Sequence, residues 1–519
     1  MWDMVGQRSL VRAIEHNREA FGEKSFIEYG DLRVTWAGFG RAVCQVANGL
    51  ARRGVEPGQN VMIYLPNCPE HVIAKFGIQR LGAVEVTCST LNKADEIAYQ
   101  IAHGGCAAVI HDAPSREMVE DLAAASPNRP RCIAVDCGRM DMGAAAFNRM
   151  LSDESDRLTT PFPDTGDLAM IMYTSGTTGR PKGVMYTHGN LYAGALNGAN
   201  GLQYSRNERV LHFFPLYHNN GSVVILGPII LRGATMVMLD RFSASRFGEM
   251  LAEHAITFTA LNSTHVKMIL EHPVTAGDRN HRMYRAQFAL PLDLERRQTF
   301  SDRFGGVTLV ELYGQTESLG AATICPVDAL WKAGSAGPPV PGVRLAIADD
   351  ERNHLGAGQP GEILLQSYSP HGLTPGYYDD PDATATLYAG GWLNTGDVGS
   401  VDEEGYLWFL ERKKDMIKRS GFNVAAAEVE RVIMEITGVQ EVAVVGIPDE
   451  FREERIVAFI VPQGDAAPAE AAVIEHCRRF LADYKVPAHV ASVDELPENF
   501  LGKVEKRTLR DLAVGRFGE

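Results

Sequence analysis

The stretch Tyr173-Thr174-Ser175-Gly176-Thr177-Thr178-Gly179-Arg180-Pro181-Lys182-Gly183 decides how the rest of the chain is read. Before it, Leu168-Ala169-Met170-Ile171-Met172 is an apolar run short enough for a buried strand. After it, Asn190 is placed to cap a helix through Leu191 and Ala195. A strand, a loop of glycines and hydroxyls, then a helix is the layout of a phosphate cradle. Glycines let backbone N–H groups approach an anion, hydroxyls donate further hydrogen bonds, and Lys182 supplies positive charge. The bland alternative is a flexible surface loop. Three glycines, four aliphatic hydroxyls and a lysine in one short loop speak against it. The nucleoside-triphosphatase loop is excluded, because it ends Gly-Lys-Ser/Thr, whereas Lys182 follows Pro181 and precedes Gly183.

The order of these residues resembles the Y-T-S-G-T-T-G-x-P-K-G signature of the adenylate-forming superfamily, which contains acyl-CoA synthetases, peptide-synthetase adenylation domains and luciferases. The resemblance implies nucleotide contacts from Thr174, Ser175, Gly176, Thr177, Thr178 and Gly179, with Lys182 against the phosphates.

The bulk numbers fit such an enzyme. At 519 residues the chain exceeds what one hydrophobic core usually serves. A net charge of -15 argues against a nucleic-acid binder, without excluding a local basic site for an anionic substrate. The apolar segment 223–239 is interrupted by Arg232 and falls short of the about 20 residues a membrane span wants, so it reads as buried core. The N-terminus lacks the basic and apolar regions of a secretory signal. Eight scattered cysteines without a Cys-x-x-Cys pair suggest neither a metal nor a disulfide framework, and a cytoplasmic setting is the expectation.

Residues 1–165 alternate helix-like and strand-like patterns: a helix from Trp36 through Leu50, strands at 60–65 and 107–112. This favours an α/β fold with buried, largely parallel strands. The segment 159–167 reads as a connector. Farther on, 210–214 is a strand followed by the polar turn Tyr217-His218-Asn219-Asn220-Gly221. Open α/β sheets bind ligands just beyond such strand ends. In the resembling family the residue matching His218 gates the acyl pocket, which puts Asn219, Asn220, Ala260, Leu261 and Asn262 nearby. A capped turn and ordinary sheet core are their plainer reading.

A second anchor is Thr308-Leu309-Val310-Glu311-Leu312-Tyr313-Gly314-Gln315-Thr316-Glu317, a strand ending in an aromatic face, a hydroxyl and a carboxylate. A carboxylate beside phosphates makes sense mainly with a hard cation between them, and Mg²⁺ suits. By resemblance Tyr313 and Gly314 border the nucleotide, Thr316 contacts phosphate and Glu317 holds Mg²⁺. A carboxylate favoured by a helix start is the alternative for Glu317.

The third anchor runs through Gly391-Trp392-Leu393-Asn394-Thr395-Gly396-Asp397 and resumes at Tyr406-Leu407 and Glu411-Arg412-Lys413-Lys414-Asp415. Asp397 has the ribose position of the family pattern and Arg412 is placed for a second ribose contact; a simple turn at Thr395-Gly396-Asp397 is the alternative. Past Lys413 the charge is dense and a new helix (Val424, Val429, Val432, Ile433) and paired strands (442–447, 456–461) follow. The expected division is therefore 1–413, a large multi-sheet α/β nucleotide- and acyl-binding domain, and 414–519, a smaller mobile α+β domain, with Lys414 at the family's hinge. The last anchor, Leu496-Pro497-Glu498-Asn499-Phe500-Leu501-Gly502-Lys503-Val504-Glu505-Lys506, resembles the loop of the family's mobile lysine, at Lys503. A compact ammonium at Lys503 suits charge shared between an attacking carboxylate and phosphorus.

Within the superfamily, Phe288-Ala289-Leu290-Pro291-Leu292 and Asp415-Met416-Ile417-Lys418-Arg419-Ser420-Gly421 resemble the carnitine/crotonobetaine-CoA ligase group. Phe288, Ala289 and Leu290 stand where most relatives carry a wall of small residues beside adenine and acyl group, and Gly421 falls in the acyl/CoA set. The resemblance implies an acyl-CoA ligase using ATP, Mg²⁺ and coenzyme A on a small carboxylic acid, through an acyl-adenylate. Two alternatives stay open: a variant specialised for thioesterifying a preformed acyl-AMP, and an amino-acid or aryl-acid adenylating enzyme. A homodimer is left open.

Overall fold

The computed structural model describes residues 8–139, 146–158, 160–174, 180–289, 292, 294–328, 331–419, 422–449, 452–464, 467–498 and 504–518. By packing, the chain divides into two compact units: Met1–Leu345 with Leu365–Asn394, and Ala346–Leu364 with Thr395–Glu519.

In the first unit the β-branched and apolar runs of the sequence become two large sheets. One has six strands in the order Arg131–Val135, Ala108–Asp112, Asn60–Tyr64, Val84–Thr87, Leu168–Thr174, Lys182–Thr187. The first five run parallel and the last is antiparallel. The other has eight, in the order Gly320–Ile324, Thr308–Gln315, Arg285–Ala289, Phe258–Asn262, Arg209–His212, Thr235–Met238, Ser25–Tyr29, Leu32–Thr35. Its six inner strands are parallel and its two edges antiparallel. Parallel strands need both faces covered, which is why strands such as Asn60–Tyr64, Val84–Thr87, Thr235–Met238 and Phe258–Asn262 are buried at every position instead of alternating. The expected core segment 223–239 is a π-helical turn Asn220–Ile225, the helix Leu226–Arg232 and the strand Thr235–Met238. No helix among the described residues is long and apolar enough to cross a membrane. All eight cysteines are free thiols.

The expected strand–loop–helix order around 173–183 is corrected. A second strand, Lys182–Thr187, leaves the loop and pairs antiparallel with Leu168–Thr174, so that Thr174 faces Lys182. Gly183 permits the close pairing, since a Cβ there would lie 2.7 Å from Ile171 Cγ2. Only then does the helix His188–Gly201 begin, and Thr187, not Asn190, caps it. The Thr187 hydroxyl accepts from Asn190 N–H at 3.1 Å while Asn190 Oδ1 accepts from Thr187 N–H at 2.9 Å, a reciprocal capping box. The Asn190 amide is then free to donate to the carbonyls of His371 and Leu373.

The helix Pro69–Leu81 is buried along its whole length, including Lys75. Lys75 Nζ lies 2.6 Å from Glu85 Oε2, and Gln79 donates to the same oxygen at 3.1 Å. Removing one partner of such a pair strands a buried charge, at about 3–5 kcal/mol. Lys75→Ala is therefore expected to shift the urea midpoint of unfolding sharply, and Lys75→Ala with Glu85→Ala much less than the sum of the single changes. An additive double variant would show that the two charges do not hold each other.

In the second unit, Val439–Asp449 and Glu453–Pro462 pair antiparallel, flanked by Ile417–Arg419 with Phe422–Val424 on one side, while His489–Ser492 adds in parallel. Side chains alternate across a strand. Val444, Ile456, Ala458 and Ile460 therefore pack with Val429, Val432, Ile433, Val473 and Cys477 of two helices. Ala443, Val445, Val457 and Phe459 turn the other way, onto Leu509 and Ala513. A further four-stranded sheet, Val343–Ala348, Gly361–Ser367, Leu393–Val401, Leu407–Arg412, lies mostly in this unit.

Candidate active site

The first unit holds the loop neck and the Thr-Glu turn, and two tyrosines tie them together. Tyr186, on the strand leaving the loop, donates its hydroxyl to Thr316 C=O at 2.6 Å. Tyr377 donates to Glu317 Oε1 at 2.8 Å, and the Lys182 ammonium lies 5.0 Å over its ring. A ring face attracts a cation, so Tyr377 positions both the lysine and the carboxylate. Burial, reinforced by Glu317, raises the Tyr377 hydroxyl's pKa, which keeps it a neutral donor. Glu317 C=O accepts from Thr374 N–H at 3.1 Å. The second carboxylate oxygen of Glu317 makes no hydrogen bond among the described residues.

The turn is sharp for steric reasons. Thr308–Gln315 folds directly into a short 3₁₀ turn, Thr316–Ser318. A Cβ at Gly314 would sit 1.7 Å from Gly320 O, so only glycine fits there. Tyr313, beside it, is buried.

The strand entering the loop is held by Tyr173, whose hydroxyl lies 2.8 Å from His103 Nδ1. Arg180 lies 5.2 Å over the Tyr99 ring, so the cation just past the loop rests on an aromatic face, as Lys182 does. Thr174 closes the strand opposite Lys182. Ser175, Gly176, Thr177, Thr178 and Gly179 lie outside the described residues, as do Leu290, Gly421 and Lys503.

At the carboxyl ends of the parallel strands lies the His218-Asn219-Asn220 turn. Asn67 fixes it by donating to Phe214 C=O at 3.0 Å and accepting from Leu216 N–H at 3.0 Å. Asn219 is buried, with Oδ1 3.2 Å from the Tyr186 hydroxyl. His218 Nδ1 accepts from Asn220 N–H at 3.3 Å, and burial pushes the ring's pKa down to about 4. Asn262 is committed locally, since its side chain caps Ser263–Glu271 by accepting from His265 N–H at 2.9 Å. Ala289 is partly exposed at the end of its strand, whereas Phe288 has no exposed surface at all.

In the second unit, Asp397 and Arg412 sit opposite each other on paired strands, with Arg412 Nε 2.8 Å from Asp397 Oδ1. Asp397 is 2% exposed and Arg412 about a third, so the guanidinium covers the carboxylate. The hydroxyl of Thr395 donates to Ile363 C=O at 2.7 Å and accepts from Asp397 N–H at 3.1 Å. Gly396 between them has φ +66°, a left-handed conformation that favours glycine. Lys413 pairs with Glu362 at 2.8 Å and Asp350 at 2.9 Å. Lys414 is exposed, and its carbonyl accepts from Arg510 at 3.3 Å.

Sequence does not single out Tyr186 or Tyr377, and it gives Lys506, the end of the last anchor, no role of its own. Lys506 spans Glu411 at 2.7 Å and Glu430 at 3.0 Å. Its partners are remote in the chain, and no local pattern announces them. Tyr186 is readable in retrospect as an inward residue of an alternating strand.

The family model "AMP-binding enzyme" matches residues 14–378 and "AMP-binding enzyme C-terminal domain" matches 428–503. A crotonobetaine/carnitine–CoA ligase of Salmonella paratyphi A is 30% identical over 519 residues, covering 98% of this chain and all of the relative. Among solved structures, ATP-bound MatB from Rhodopseudomonas palustris superposes with TM-score 0.89 at 27% identity, covering 97% of this chain and 99% of that one. The anthranilate CoA ligase AuaEII in complex with anthranoyl-AMP gives 0.85 at 26% identity, covering 97% of each chain. With matches running from residue 14 to residue 503 and the Lys182–Tyr377–Glu317 group in place, the chain belongs to the AMP-binding enzyme family.

Proposed function

We propose that this enzyme is an acid–thiol ligase that converts a carboxylic acid, ATP and coenzyme A to acyl-CoA, AMP and pyrophosphate, with the residue roles that follow. In the first half-reaction a carboxylate oxygen attacks the α-phosphorus of ATP, the bond to the β-phosphate oxygen breaks, and pyrophosphate leaves. In the second, the coenzyme A sulfur attacks the acyl carbon of the acyl-adenylate, AMP departs, and the thiol proton passes to solvent.

The observation that carries this reading is Tyr377, which holds Lys182 by its ring and Glu317 by its hydroxyl. Phosphoryl transfer asks chiefly for positioning and compensation of charge. Lys182 would face phosphate oxygens from the loop neck, and the Thr316 hydroxyl would donate beside it. Glu317 suits a hard cation, because one carboxylate oxygen is fixed and the other has no partner among the described residues. No cluster of three or more His, Cys, Asp or Glu exists among the described residues to hold a metal alone, so phosphate oxygens would complete the shell. Mg²⁺ bound there supplies neutralisation of phosphate charge.

Asp397, with Arg412 beside it, would take the ribose hydroxyls: a carboxylate is acceptor-only and matches two donors. Lys503 would reach the carboxylate and α-phosphate during adenylation. Lys414 would serve as the hinge of a mobile domain at 414–519, letting one cleft serve two chemistries in turn. The medium would be the cytoplasm, in keeping with eight free thiols.

The test is a panel of carboxylic acids with ATP and coenzyme A, read by pyrophosphate release and by thioester mass. The expected result is coupled pyrophosphate and thioester for at least one acid. Thioester from supplied acyl-AMP alone, with no ATP-dependent pyrophosphate release by any acid, would establish the specialised thioesterifying variant instead.

A further inference from the structure

We infer that Gln287 is a positioning residue that fixes the polarity of the acyl pocket wall, and that the acid this ligase takes carries a neutral oxygen acceptor on its chain. The inference rests on the ligase reading above. Gln287 sits inside the parallel sheet with no exposed surface, two residues before the end of Arg285–Ala289. Its amide Nε2 donates to Asn220 Oδ1 at 2.8 Å, while its own Oε1 is buried without a partner. The opposite amide orientation would bury an unpaired NH₂, and orphaned donors are rarer in proteins than under-satisfied carbonyls. Asn220 is therefore held with its carbonyl inward, and its Nδ2, which makes no hydrogen bond among the described residues, is left as a donor.

His218 adds a second donor of the same kind. Its Nδ1 accepts from Asn220 N–H, which puts the single proton of the neutral ring on Nε2. The turn bearing both groups is rigid. Asn67 pins its start, and a Cβ at Gly221 would meet Pro215 O at 2.4 Å. It leads into a π-helical turn, Asn220–Ile225, an irregularity often found at functional sites. Among the described residues, no charged side chain hydrogen-bonds to His218, Asn219, Asn220 or Gln287. Two N–H donors with no cation hydrogen-bonded to their residues suit a neutral acceptor such as a ketone, ester or ether oxygen. A second carboxylate would lose its hydration without a counter-charge, and an ammonium would meet donors only.

The experiment compares three acids of equal chain length, unsubstituted, oxo-substituted and trimethylammonio-substituted, by kcat/KM for acyl-CoA formation. In the wild-type enzyme the oxo acid is expected to exceed the unsubstituted acid by about 10-fold, the worth of one hydrogen bond, and the ammonio acid to fall below it. Asn220→Asp turns an acceptor outward and should reverse the order of the oxo and ammonio acids. Gln287→Met should bring the oxo/unsubstituted ratio to about 1, through KM for the oxo acid. A merely structural role would lower kcat for both acids together and leave that ratio unchanged. No wild-type preference, or a preference that survives Gln287→Met, overturns the inference while the ligase reading stands. No thioester from any acid overturns the ligase reading, and this inference with it.

Discussion

Glu317→Gln is expected to slow ATP-dependent pyrophosphate release by about 10²–10³-fold, the loss seen when one preorganised charge-stabilising group leaves a site of this kind. The substitution keeps size and shape, and the Gln carbonyl can still accept from Tyr377, so the turn Thr316–Ser318 should persist. What disappears is the negative charge, and with it the ability to bind a hard cation against phosphate. Tyr377→Phe makes the contrast. It retains the ring under Lys182 but frees the Glu317 carboxylate, and should cost about 10-fold, with a higher Mg²⁺ requirement that added Mg²⁺ offsets. Added Mg²⁺ should not rescue Glu317→Gln. Equal, Mg²⁺-insensitive losses in the two variants would remove the metal from Glu317 and leave it a turn residue.

How much of this was legible follows from where the partners lie in the chain. The strand at 168–174 and the strand ending at Gln315 announce themselves, because an apolar run meets glycines and hydroxyls. The paired strands of the second unit were visible as two β-branched runs at 442–447 and 456–461, and the structure extends each at both ends. The strand Lys182–Thr187 was not visible. Gly183 and Val184 are both buried, so the alternation is imperfect, and what makes these residues a strand is their pairing with Leu168–Thr174. Tyr377 and Gln287 escaped for a related reason. Each acts on a residue some sixty-odd positions away, 60 for Tyr377–Glu317 and 67 for Gln287–Asn220, and such contacts leave no trace in local sequence. Asn190 misled because it sits three residues into the capping box, where Asn and a true cap look alike.

Lys503→Ala should abolish acyl-AMP formation, by at least about 10²–10³-fold, yet leave transfer of supplied acyl-AMP to coenzyme A largely intact. The asymmetry follows from the charges. Adenylation brings a carboxylate onto an already anionic phosphate, and a lysine ammonium is the compact cation that offsets this. In the thioester step the phosphate leaves as AMP and no new anion approaches it, so the same ammonium has little to stabilise. The neighbouring Lys506 provides the control that separates this role from local collapse. It joins Glu411 and Glu430, and burial already raises the pKa of Glu411. Lys506→Met should therefore leave two carboxylates crowded without a cation, lower the thermal midpoint, and depress both half-reactions together. If Lys503→Ala behaves like Lys506→Met, losing both steps and stability in parallel, Lys503 is a structural lysine and the adenylation chemistry must draw its cation from Lys182 alone.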